Sequence, residues 1–217
     1  MKMLLILLFV SFNTYSQSLE EYYENSNNYG SESTYYYDLD MKESSKEKAK
    51  IIKIINSSGE VYDYDKKGNL LTFYEKAVIV NKSDDFDSIY EGIVIYYYKS
   101  GRINYEVNLV NLPEGNLEEG EYKFYTKSGK LYIKSNFIGG ALNGKHIIYT
   151  KFGSEERNFK NGEPYGNLTY FTKSNIKVAE GNISDGADWV YFNKSGEIIS
   201  RNWYDFSKIK KLLRKYK

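Results

Sequence analysis

From residue 34 onward, aromatic and aliphatic positions alternate with polar ones in short runs, and each run is broken by a small polar cluster that holds glycine or asparagine. Alternation with a period of two predicts strands with one face turned to a core. Aligning the chain on the segment Tyr-x-Lys-Ser-Gly brings out six copies: Tyr64 to Gly68, Tyr97 to Gly101, Tyr125 to Gly129, Tyr149 to Gly153, Phe171 to Asn175 and Phe192 to Gly196. The first step between anchors is 33 residues and the later ones are 28, 24, 22 and 21. The register tightens toward the C-terminus, and the early copies carry insertions.

Each column of the alignment has a physical reading. The anchor is Gly68, Gly101, Gly129, Gly153, Asn175 or Gly196, the two residue types that enter positive φ most easily, so the column predicts hairpin turns. Four positions earlier every copy has Tyr or Phe. Seven positions earlier stand Val61, Val94, Tyr122, His146, Leu168 and Trp189, a mostly apolar column expected to face a core. Two before the anchor all six copies have lysine: Lys66, Lys99, Lys127, Lys151, Lys173 and Lys194. These six are expected in solvent at the hairpin tips, where stacked hairpins would repeat them about every 10 Å along one edge. Such a row is the candidate partner-binding feature and could meet a polyanion. Lysine at a tip also guards a sheet against aggregation, which alone accounts for the column.

A second signal, glycine beside Glu, Asn, Tyr or Asp, recurs at Gly92, Gly120, Gly144, Gly166 and Gly186, and is read as the turn between hairpins. Strand, turn, strand, turn is an antiparallel meander. One such unit cannot bury its own face, so neighbours must stack. The expected fold is all-β: an elongated antiparallel sheet of tandem β-hairpin repeats.

Stretches such as Gly120-Glu121-Tyr122-Lys123-Phe124-Tyr125-Thr126-Lys127-Ser128-Gly129 and Asn143 to Phe159 followed by Asn161-Gly162 resemble the MORN-repeat variant family of short bacterial MORN-like repeats. The resemblance spans residues 59–204. It departs from the family pattern at Asn175, before Trp189, and in the insertion at residues 75–90. It implies interaction modules and no catalytic residues. Similar proteins are often labelled antitoxin-like, although an exported chain would be out of reach of a toxin acting in the cytoplasm.

The flanks differ from the repeats. Met1-Lys2-Met3, the apolar run Leu4 to Val10 and the small polar residues up to Ser16 read as a secretory signal peptide over residues 1–16, with Gln17 the expected mature start. Residues 17–33 are rich in Glu, Asn, Ser and Tyr and read as a flexible leader. Residues 34–58 are expected to cap the array with strands at 34–38 and 51–55, separated by a charged stretch at 41–50 that could form one short helix. At the other end, residues 205–217 predict an amphipathic helix with Ser207 as its cap. Ile209, Leu212, Leu213 and Tyr216 fall at i, i+3, i+4 and i+7. Its stripe is expected to cover the open edge or end face of the last repeat; the other reading lays it on an anionic membrane.

Composition sharpens this picture. The chain has 24 tyrosines against 2 prolines and 17 glycines. Tyrosine favours strands and tolerates a half-wet surface, because its ring packs while its hydroxyl reaches water. There is no cysteine, which excludes disulfides and an acylated-cysteine anchor. Without residues 1–16 the charges balance, which argues against a nucleic-acid partner. The tail at 205–217 nevertheless carries six basic residues and one acid.

Candidate chemistry is sparse. His146 is the single histidine and shares its column with apolar residues, so it reads as a packed ring. Asp84-Asp85-Phe86-Asp87 lacks the glycine and the final ligand of a calcium loop. Glu118 or Glu119 with Glu121 could serve glycoside hydrolysis only in a cleft, which the pattern does not predict. No catalytic, cofactor or metal residues are therefore assigned, and no cofactor is expected. The sequence points to an exported, periplasmic or extracellular, non-enzymatic binding or scaffold module at the cell envelope. Its partner would be a protein or an envelope polymer, with peripheral membrane contact through the helix as a further option. An antitoxin-like or immunity partner of a secreted toxin, and a cell-wall hydrolase, are the alternatives.

Overall fold

The computed structural model describes residues 32–39, 41–78, 89–112, 115–182, 186 and 188–216. The residues read from the sequence as a signal peptide, most of those read as a leader, and Asp84 to Asp87 lie outside them. The described chain forms β1 (Ser33–Tyr37), β2 (Ile51–Ile55), β3 (Val61–Asp65), β4 (Leu70–Val78), β5 (Ile89–Tyr97), β6 (Ile103–Leu112), β7 (Gly115–Tyr125) and β8 (Leu131–Ile138). There follow β9 (Ala141–Leu142), β10 (Gly144–Tyr149), β11 (Gly153–Lys160), β12 (Glu163–Thr172), β13 (Lys177–Gly181), β14 (Trp189–Phe192), β15 (Ile198–Asn202) and the helix α1 (Phe206–Lys215). All fifteen strands belong to one antiparallel sheet in chain order, with the short β9 set aside as a second partner of β8. The fold is thus an all-β array of tandem hairpins with one short C-terminal helix.

The tip of a regular hairpin is built by its own side chains. At Thr126 to Lys130, the Gly129 N–H donates to the Thr126 carbonyl at 2.8 Å, and the Thr126 N–H donates to the Lys130 carbonyl at 2.8 Å. This is a three-residue loop closed by a left-handed glycine, with φ of +82° at Gly129. The same pair of bonds recurs around Gly68, Gly101, Asn175 and Gly196. A polar residue three before the anchor steadies most tips: the Asp65 and Asn193 side chains each accept two backbone N–H groups of their own loop. A further tip of this kind, Asn56 to Glu60 with Gly59 at +85°, lies on the opposite rim and escapes the lysine-based alignment because Ser57 stands where the lysine would be.

Gly153 departs from its column. The loop before it has two residues, its φ is +157°, and it already pairs with Thr172 as the first residue of β11. Glycine is required there for another reason: a Cβ would overlap the Phe171 carbonyl on β12. The second glycine signal is also corrected. Gly92, Gly120 and Gly166 lie inside β5, β7 and β12, where the register shifts against the neighbouring strand, so they mark β-bulges. At Gly92 the Glu75 carboxylate fills the space of a side chain and accepts the Ile93 N–H at 2.7 Å. Reversals occur elsewhere, as at Asn161-Gly162 between β11 and β12.

Strand register places Val61, Val94, Tyr122, His146, Leu168 and Trp189, the second column, on one face. That face holds two cores at its ends. One gathers Tyr35, Tyr37, Ile55, Val61 and Ala77; the other packs Leu168, Tyr170, Val178, Trp189 and Tyr191 against Ile209, Leu212, Leu213 and Tyr216 of α1. The helix therefore lies over the face at β12 and β13, and among the described residues no strand pairs with the outer edge of β15, whereas the sequence suggested an edge or end cap. An apolar stripe gains more by covering rings than by facing a ladder of peptide groups that needs hydrogen bonds. Its N-cap is Asp205, whose carboxylate accepts the Lys208 N–H at 3.0 Å, rather than Ser207. Residues 41–50 form no helix. They hold a bridge from Glu43 to Tyr37 and one turn at Ser45, because backbone bonds to β1 residues Tyr36 and Tyr37 take the amides of Ser44 and Lys50.

Candidate functional site

Hairpin connectivity sets all six tips, and with them Lys66, Lys99, Lys127, Lys151, Lys173 and Lys194, on the same long rim of the sheet. All six lysines are exposed. Adjacent tips stand two strands apart, about 10 Å. Lys151 differs from the others in that its ammonium sits 4.9 Å over the ring of Phe152, which also receives Arg214 at 4.6 Å and Lys210 at 6.0 Å from the helix. No spacing in the sequence links Phe152 to positions 210 and 214.

On the helix-side face, between the two cores, rings run from strand to strand. Tyr96 stacks on Tyr105 at 4.2 Å between centroids, Tyr105 meets Tyr122 at 5.9 Å, and Tyr122 meets Phe137 edge-on at 5.8 Å. Tyr74 stacks on Tyr90 at 3.8 Å on one side, and His146 meets Phe159 at 5.5 Å on the other. Among the described residues no helix or second sheet packs on this stretch. Tyr105 and Tyr122 remain partly accessible, while the rings around Val94 bury it completely. Burial pushes the hydroxyls of Tyr74 and Tyr105 well above the usual phenol range, so the row is neutral near pH 7. The opposite face carries ion pairs instead, with Glu106, Lys123, Glu121 and Lys134 linked in a chain across β6, β7 and β8.

At the N-terminal end of the row lies a buried charge. Lys53, 5% exposed, donates to the Tyr90 hydroxyl at 2.5 Å and stands 3.4 Å from a carboxylate oxygen of Asp63. Its ammonium also faces the rings of Tyr90 and Tyr74 at 5.0 and 5.4 Å. Burial drives the Asp63 carboxyl up, against the pull of Lys53. The only sequence signal for this cluster is a lysine at the centre of Ile-Ile-Lys-Ile-Ile, on the side of β2 that turns inward.

His146 shares a hydrogen bond of 2.7 Å with the Ser135 hydroxyl through Nδ1. The pair lacks the access a nucleophile needs, since Ser135 is 3% exposed. Burial, and then the nearby Arg157, hold the imidazole below its ordinary pKa of 6.5. Two of the three carboxylates considered for hydrolysis are engaged: Glu119 accepts the Gly139 N–H at 2.8 Å, and Glu121 binds Lys123 and Lys134, which hold its pKa down. A groove of about 460 Å³ on the face away from α1 brings Glu180 and Asp188 together with Asn167 and Arg201. Glu180 is paired with Lys177 at 3.0 Å, so one carboxylate oxygen of the groove already has a partner. Among the described residues no three His, Asp or Glu side chains gather as a metal set.

No protein-family model matches the chain, and no curated protein matches it. Among solved structures it is similar, at 13% identity and a TM-score of 0.22, to a chain of a GtfA/B complex bound to UDP and GlcNAc. That likeness covers 64% of this chain and 28% of the other, and at this TM-score it says nothing about activity.

Proposed function

We propose that this protein is an exported, non-enzymatic binding or scaffold module of the cell envelope, built on MORN-like repeats, whose sheet face, open between its two cores among the described residues, presents tyrosines to a protein or glycan. The observation that carries this reading is the ring row from Tyr96 through Tyr105 and Tyr122 to Phe137. Aromatic side chains offer large contact area for the loss of only two rotatable bonds, and tyrosine adds a hydroxyl that can bond a partner. Strands repeat every 4.8 Å or so, so the row suits an extended polymer lying across them. Neutral rings and an ion-paired opposite face favour recognition by shape and hydrogen bonding on the helix side. Export rests on the pattern of residues 1–16, and mass spectrometry of the secreted protein should find Gln17 as its first residue.

The test replaces Tyr105 and Tyr122 by Ser and compares capture of envelope proteins and binding to a glycan array with the parent protein. Loss of the captured partner with an unchanged circular dichroism spectrum is the expected result. Undiminished capture would remove the ring row from the binding surface.

A further inference from the structure

We infer that the outward side of α1, together with the exposed aromatic pair at its N-terminal end, docks on an anionic lipid membrane. The apolar stripe is not the contact. Ile209, Leu212, Leu213 and Tyr216 are spent on the sheet, so nothing apolar on the inner side is left for lipid. What the helix offers to solvent is charge: between Phe206 and Lys215 there are five cations and no acid.

Ordinary helix physics accounts for part of this set. Arg214 and Lys215 in the last turn complement the negative end of the helix dipole. Lys208 reaches back to the Ser200 hydroxyl at 2.5 Å and covers the Tyr191 ring at 4.1 Å. Neither explanation reaches Lys211, which is exposed, nor the convergence of Lys210, Arg214 and Lys151 on Phe152. Through Phe152 the cationic side of the helix joins the lysine rim at the tip between β10 and β11. Gathering like charges costs stability in the free protein, and an anionic surface relieves that cost.

The second observation is aromatic. Trp203 is 68% exposed and Phe206 52% exposed, immediately before and at the start of the helix. Neither belongs to the buried cluster beneath α1. Rings flanking a row of cations match the two layers of a bilayer interface, with rings at headgroup level and ammonium groups at the phosphates. A soluble polyanion would use the cations and leave the rings idle. With no cysteine in the chain to carry a thioether-linked lipid, attachment of this kind would be electrostatic and reversible.

The experiment is co-sedimentation of the full mature protein with vesicles of phosphatidylglycerol and phosphatidylethanolamine, against vesicles of phosphatidylcholine alone. Binding is expected only to the anionic vesicles and is expected to fall as salt is raised. The triple variant Lys211→Gln, Arg214→Gln, Lys215→Gln should lose roughly a hundredfold in partitioning. Trp203→Phe should abolish the blue shift of tryptophan fluorescence that vesicles produce, because the chain's other tryptophan, Trp189, is already buried. Should the triple variant fold poorly by circular dichroism, Lys211→Gln and Trp203→Ala, both at exposed positions, are expected to give smaller graded losses. Absence of binding by the parent protein, or unchanged binding by these variants, would overturn the inference. Binding to polyphosphate without binding to vesicles would do so as well.

Discussion

The Lys53 ammonium on β2 donates to the Tyr90 hydroxyl on β5 across the two strands between them, and Asp63 on β3 lies beneath the pair. A sheet normally ties only adjacent strands, whereas this contact links the first and last of four consecutive strands. Removing the cation leaves a buried carboxylate without its counter-charge. Lys53→Met is therefore expected to lower stability in urea by about 3 kcal/mol, and adding Asp63→Val should recover most of the loss, because an apolar pair replaces a buried ionic one at little cost. Recovery of nothing in the double variant would show that Tyr90, and not Asp63, is the partner that matters.

Two glycines of one alignment column are expected to respond differently to a side chain. At Gly129 only Arg102 Cδ lies near the position of a Cβ, at 3.7 Å, so Gly129→Val should cost about 1 kcal/mol from the left-handed backbone. Gly129→Asn should cost less, since Asn175 fills the same role at φ of +60°. At Gly153 the obstacle is the Phe171 carbonyl on the next strand, which cannot turn away. Gly153→Ala should cost about 3 kcal/mol, and thermal denaturation of the three variants checks the order.

His146 makes stability depend on pH in a known direction. Its folded pKa is depressed below 6.5 by burial, so the unfolded chain takes up the proton first on acidification. The contribution is full above pH 6.5 and is lost as the pH falls through the lowered folded value. Compared with the parent protein, His146→Asn should therefore lose less of its melting temperature when the pH is taken from neutral to mildly acidic. Parallel losses in the two proteins would show that the ring is not held neutral.

Deleting residues 206–217 should unfold one end of the array rather than all of it. The helix covers Tyr170, Val178 and Tyr191, and its removal exposes them while leaving the Lys53 core untouched. Repeat arrays couple mainly through nearest neighbours. Hydrogen exchange should accordingly rise across β12 to β15 and stay slow in β2 to β4. A uniform rise would mean that the sheet folds as one cooperative unit.

Periodicity made the array legible. Tyr and Lys at fixed offsets from Gly129 carry the hairpin, because a turn and its flanking alternation are local and depend only on φ preferences and a two-residue repeat. Gly120 and Gly92 show the limit of that reading. A left-handed glycine looks the same in the sequence whether it closes a turn or makes a bulge, and only the paired strand decides which. The same holds for Asp205 against Ser207, where either could cap the helix and the path of the chain from β15 selects the first.

What the sequence by itself determined is the class of fold, the period of the hairpins and the amphipathic tail, all of them consequences of short-range backbone preference. The tertiary structure alone decided which face each element covers. It seated α1 on β12 and β13 instead of the edge of β15, buried Lys53 beneath Tyr90, and gathered Lys151, Lys210 and Arg214 around Phe152. The Lys53 to Tyr90 contact joins residues 37 positions apart, and the contacts of Phe152 with Lys210 and Arg214 join residues more than 50 apart. Their energies come from the area and charge that meet once the sheet has formed, and neither quantity is written in any local pattern.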